Sequence, residues 1–165
     1  MDETKRNTIQ GWIDKAANSL DSAKEHLQWT DRVSDAVQAA QQSIELSVKA
    51  LLTVLNLQYP PSHGWSRKEI AELAKQIRQR DLQTKLKQVS LDFIVRLPRL
   101  LFRTNFWSQF YLEAKYGFEA EHLAPAQDLF EKDDAELAVK HADDCLWSVR
   151  ACRNLPDEKL AELLR

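Results

Sequence analysis

From Ile9 to Leu55 this chain places an apolar residue at every third or fourth position, with one interruption. Ile9, Ile13, Ala16, Leu20, Ala23 and Leu27 form a first series, and Val33, Val37, Ala40, Ile44, Val48, Leu51 and Leu55 a second. A period near 3.6 makes each series one face of a helix. The link Gln28-Trp29-Thr30 is so short that the second helix must fold back on the first. Two antiparallel helices are therefore expected, from about Thr8 to Gln28 and from about Asp31 to Leu57. Composition agrees, because three glycines and five prolines in 165 residues leave long stretches unbroken. A chain of this length suits one domain, residues 1–165.

The remainder reads as further helices with clear punctuation. Two prolines and a glycine in Gln58-Tyr59-Pro60-Pro61-Ser62-His63-Gly64-Trp65 exclude a helix there. Ser66 and Glu69 then form a capping box for a short helix ending near Arg80. Leu82, Leu86, Val89 and Phe93 begin a third main helix, which Pro98 bends near Leu97 and Gly117 stops. Residues 118–132 read as a loop, and Asp133 with Glu136 caps a fourth main helix running to about Asn154. Pro156 introduces a terminal helix, Asp157 to Leu164. The expected fold is all-α, an up-and-down bundle of four main helices with short accessory helices and a lid-like insertion between the second and third.

Several chemistries lack their residues. His26, His63, His122 and His141 are scattered, with no His-Glu-x-x-His or paired-cysteine motif, so no metal site is expected. Gly11, Gly64 and Gly117 are isolated, so there is no phosphate loop, and no cofactor is expected. Asp133-Asp134 and Asp143-Asp144 are helix neighbours that point apart. Cys145 and Cys152 continue an apolar series seven residues apart, too far to bond, and read as buried thiols. No apolar run suits a membrane span or a secretory signal, which leads to the expectation of a cytoplasmic protein. A net charge of −2 argues against general coating of nucleic acid.

The second helix also carries a polar stripe, Gln38, Gln42, Glu45 and Lys49, with Glu45 four residues before Lys49. Read by itself this is a solvated face. The fuller pattern Ala40-Gln41-Gln42-Ser43-x-Glu45-x-x-x-Lys49-Ala50-Leu51 resembles the second-helix signature of HEPN domains, small prokaryotic helical bundles, with Ser43 where alanine is usual. Ser62-His63-Gly64-Trp65 stands where many members have a Thr/Ser-His-Asp-Leu turn. Tyr111-Leu112-Glu113-Ala114-Lys115-Tyr116-Gly117 is similar to their Tyr-x-x-(Ala/Ser)-Arg-Tyr-Pro segment, with lysine and glycine departing.

Many proteins of the HEPN family are RNA-cleaving toxins that use an arginine followed by four to six residues and then a histidine. No arginine stands in that window before any of the four histidines, and Arg153-Asn154 starts such a motif with no histidine after it. The resemblance thus implies a non-catalytic binding module. It would act as a homodimer beside a separate small nucleotidyltransferase, as in a toxin–antitoxin-like pair, and bind nucleotide, RNA or a partner. The competing readings are a divergent ribonuclease and a purely structural dimerisation module.

Gln42, Glu45, Lys49, His63, Tyr111, Lys115 and Tyr116 are the candidate binding residues. Arg96, Arg99 and Arg103 join them, since with Asp92 they fall on one helix face and arginines suit phosphate. Blander roles exist for each: loop hydrogen bonds for His63, core or interface packing for Tyr111 and Tyr116, and a solvated face for the arginines. His141 reads as a satisfied core or interface histidine, and most of Trp12, Trp29, Trp65, Trp107 and Trp147 as packing residues.

Overall fold

The computed structural model describes residues 3–89, 91, 95–117 and 124–165. Among them are eight α-helices and no strand: α1 (Glu3–His26), α2 (Val33–Val54), α3 (Arg67–Gln79), α4 (Leu82–Gln88), α5 (Leu97–Ser108), α6 (Tyr111–Tyr116), α7 (Lys132–Arg153) and α8 (Asp157–Leu164). A 3-10 turn, Thr30–Arg32, leads into α2 and another, Ala126–Asp128, precedes α7.

α2 is the axis of the bundle because its sequence lets neighbours approach on several sides. Ala36, Ala40, Ser43, Ser47 and Ala50 are small and fully covered, while Val37, Ile44, Val48, Leu51 and Leu52 fill the space between helices. α1 brings Ile9, Ile13, Ala16, Leu20 and Ala23 against it, and α7 brings Ala135, Ala138, Ala142, Cys145 and Val149. Lys5 Nζ at the start of α1 donates to Asn56 Oδ1 beyond the end of α2 at 3.1 Å, so these two helices are antiparallel as expected. Lys24 near the end of α1 pairs with Asp143 of α7 at 3.1 Å. Both cysteines are buried free thiols, and desolvation pushes each up to about 12.

The segment from Gln58 to Trp65 is non-helical and the capping box holds: Glu69 N–H donates to Ser66 Oγ at 3.3 Å and Ser66 N–H to Glu69 Oε2 at 2.7 Å. Hydrogen bonding from the Ser66 side chain, then from its backbone N–H, favours the ionised form and lowers the Glu69 carboxyl below its ordinary range.

Other expectations need correction. α1 starts five residues before Thr8, and α2 is shorter at both ends than 31–57. The third main helix is three helices, α4, α5 and α6, because Pro98 does not bend a continuing helix. It stands in the first turn of α5, where its missing N–H is harmless. Gly117 does end α6, at φ +62, where a Cβ would meet the Ala126 nitrogen at 2.4 Å. α7 is capped by Glu131 with Asp134, not by Asp133 with Glu136. The insertion after α2 is no lid, since Leu73, Ile77, Leu82 and Leu86 belong to the core. Asp92, Phe93, His122 and the first half of the expected 118–132 loop lie outside the described residues.

Candidate functional site

The polar stripe of α2 is not a solvated face. Glu45 and Lys49 are 7% and 8% exposed and Gln41 is 4% exposed, while Gln42 is open to solvent. The loop after α2 folds back over the Glu45–Lys49 end of the stripe and covers it. Lys49 Nζ donates to Glu45 Oε1 at 2.7 Å and to the Pro61 carbonyl at 2.9 Å. His63 Nδ1 lies 2.9 Å from Glu45 Oε2, which Gln41 Nε2 also approaches at 3.4 Å. With a carboxylate as acceptor, the proton on this side of the imidazole sits on Nδ1.

Trp65 and Gly64 fix the loop. The Trp65 indole is buried and donates to the Pro60 carbonyl at 3.2 Å. Tyr59, tilted against Trp65, shares a 2.8 Å hydrogen bond with Thr53 of α2, and its half-buried hydroxyl is raised above its usual range by desolvation. Gly64 adopts φ +80, and its Cα faces Ser108 of α5 so closely that a Cβ would stand 2.8 Å from Ser108 Oγ. Only glycine takes this conformation without cost.

Tyr111, in the first turn of α6, completes the site. Its ring stacks on His63 with centroids 5.6 Å apart and planes 6° from parallel. Lys115 Nζ stands 5.8 Å from the Tyr111 centroid and 5.0 Å from that of Tyr116. A hydrogen bond to Tyr116 and the charge of the two phenols raise the exposed Lys115 ammonium above its ordinary value. Beside these groups a cleft of about 320 Å³ is lined by Gln38, Gln42, Glu45, His63 and Tyr111, with Lys15 of α1 opposite α2.

Hydrogen bonds from Lys49, His63 and Gln41 engage both oxygens of Glu45. The cleft instead offers an aromatic face, two amides able to donate and accept, and an exposed ammonium. Among the described residues no cluster of three histidine, cysteine, aspartate or glutamate side chains is placed to hold a metal.

The structure thus brings Gln42, Glu45, His63 and Tyr111 together, with Lys49 beneath and Lys115 and Tyr116 at the edge. It does not bring the arginines. Arg96 precedes the first turn of α5 and Arg99 is exposed. Arg103 is 5% exposed and donates to Asp144 of α7 at 2.7 Å, so it is a strut between helices. Arg96 falls outside α5, which begins at Leu97, while Arg99 and Arg103 stand four residues apart on it. Next to this strut His141 accepts from the Trp107 indole at 3.0 Å, as a satisfied core histidine would. Burial, then the charge of Arg103, lowers its pKa to about 4. Lys15 and Gln41 escaped the sequence reading. Gln41 stands within the quoted run, but Lys15 looks like any exposed residue of α1 until helix packing places it.

No helix among the described residues is long and apolar enough to cross a membrane. Neither the curated proteins nor the solved structures gave a match. The family model described as HEPN domain matches residues 9–150, from the first core residue of α1 to the last turn of α7. With that match covering the helices that carry the Glu45–Lys49–His63 cluster, the chain belongs to the HEPN family.

Proposed function

We propose that this chain is a non-catalytic HEPN binding module that receives a nucleotide in the cleft between α1, α2 and the 58–65 loop. One observation carries the reading: the buried Glu45 carboxylate is engaged by Lys49, Gln41 and His63, while Tyr111, Gln38, Gln42 and Lys15 face the opening. A base stacks on an aromatic ring at about 1–3 kcal/mol, amides meet its edges, and an ammonium meets phosphate. The missing arginine–histidine pair removes the acid–base chemistry that RNA cleavage needs.

The module works beside a separate small nucleotidyltransferase, in a toxin–antitoxin-like arrangement, and assembles as a homodimer. Exposed Phe102, Phe106 and Trp147, at 63%, 37% and 58%, support a covered surface. Calorimetry with mononucleotides tests the cleft: binding is expected in the wild type and a loss of about tenfold or more in Tyr111→Ala and Gln42→Ala. RNA cleavage that vanishes in His63→Ala overturns the reading, as does binding indifferent to both variants. Sedimentation at micromolar concentration tests assembly, where a mass near the 19.1 kDa of one chain contradicts the dimer.

A further inference from the structure

A second cleft lies away from this site. Residues at the start of α1, just beyond α2, at the end of α7 and along α8 come together. They surround a cavity of about 530 Å³ whose walls carry Lys5, Arg6, Asn56, Arg153 and Asp157. Leu160 and Leu164 of α8 make its apolar side. Asn56 is eleven residues beyond Glu45, or about 16 Å along α2, so the two clefts are separate.

Three cations and one carboxylate face this cavity. Helix C-termini carry partial negative charge and attract basic residues, which is an ordinary reason for cations here. Arg80 plays that part. Its guanidinium donates to the carbonyls of Leu55 and Asn56 at 2.8 and 3.0 Å and of Leu164 at 3.4 Å. These bonds, with Lys5 on Asn56 Oδ1, tie the walls together and fix the shape of the cavity.

Arg153 is not used in this way. Its Nε is buried with no hydrogen-bond partner, and no ion pair among the described residues includes it. A buried donor without an acceptor costs about 1–3 kcal/mol, more when charged. An anion in the cavity supplies a counter-charge for this guanidinium, which stands on its wall. Guanidinium groups present paired N–H donors that match phosphate oxygens, while lysine acts as a point charge. The volume suits a small molecule, and the leucines suit its organic part.

We propose that this cleft binds the phosphate group of a small phosphorylated molecule, with Arg153 and Arg6 on the phosphate oxygens and Lys5 adding charge. The site shares no residue with the Tyr111 cleft, and its failure leaves the function proposed above untouched.

Calorimetry and thermal melts of the full chain with inorganic pyrophosphate and with ADP, at low and high salt, provide the test. Pyrophosphate is expected to bind and raise the melting temperature at low salt. Its affinity is expected to fall about tenfold in Arg153→Gln and severalfold in Arg6→Gln, and to persist in Tyr111→Ala. ADP binding more tightly than pyrophosphate, with the same dependence on Arg153, assigns a role to the leucines. Arg6 is exposed, so Arg6→Gln keeps the test open if Arg153→Gln does not fold. Absence of binding at about 5 mM pyrophosphate, or equal binding by the wild type and both variants, overturns the proposal.

Discussion

His63 Nδ1 and Glu45 Oε2 meet at 2.9 Å although the side chains are 71% and 9% exposed. One partner is in solvent and the other in the core, so the bond connects the loop to the axis of the bundle. Its inner half is the Glu45–Lys49 pair, both of whose side chains are about nine-tenths covered.

Removing one partner of such a pair leaves the other charged and buried. Glu45→Leu or Lys49→Met alone is therefore expected to cost about 3 kcal/mol, and the two together markedly less than either single change. Urea unfolding of the four proteins measures this. A single-variant cost below about 0.5 kcal/mol would mean that water screens the pair.

Ser43 offers the reverse case. It is fully buried on α2, and its Oγ has no hydrogen-bond partner among the described residues. Ser43→Ala removes an unsatisfied hydroxyl and adds helix propensity, and is expected to stabilise by about 1 kcal/mol, or about 2–4 °C. A lower melting temperature would show that the hydroxyl has a partner.

His141 predicts a pH dependence. Its pKa is about 4 in the fold, against an ordinary 6.5, so the folded ring stays neutral where the unfolded one takes a proton. Its contribution is complete above pH 6.5 and is lost as pH falls through 4. Discounted for the solvent that reaches this half-exposed ring, the loss is about 1–2 kcal/mol. Protonation of Nδ1 also removes the acceptor for the Trp107 indole. His141→Gln is expected to flatten the stability profile between pH 6.5 and 4. An unchanged profile would assign the acid sensitivity to other groups.

Gly64 controls the loop. Gly64→Ala forces a side chain into φ +80 and against Ser108 Oγ, which is engaged with the Asn105 carbonyl at 2.8 Å. The expected cost is about 1–2 kcal/mol, with His63 drawn off Glu45. NMR of the His63 ring reports this directly, and wild-type ring shifts in the variant would contradict it.

What could be read in advance follows from range. The α1–α2 hairpin, the Ser66–Glu69 box and the Gln58–Trp65 break depend on residues a few positions apart, and each is present. The arginine row needed one helix through Pro98, and there the neighbouring turns decided otherwise. The burial of Glu45 and Lys49 was hidden because a polar stripe looks the same whether water or a distant loop covers it. Arg103 was misplaced for the same reason, since its partner Asp144 is forty-one residues away. Tyr111 and His63 were singled out by pattern, but their stacking depends on a turn and a helix start that no periodicity links.

The cleft has two halves of different origin. Gln38, Gln42 and Glu45 are set by the register of α2, whose other faces are committed to α1 and α7, so these positions have little freedom to change. His63 comes from a non-helical segment held by Trp65, Gly64 and two prolines. A change of length or residue there alters which molecules fit while the bundle keeps its packing. The shape of this cleft is therefore free to change through the loop residues that do not anchor it, between Gln58 and His63, while the helical bundle stays as it is.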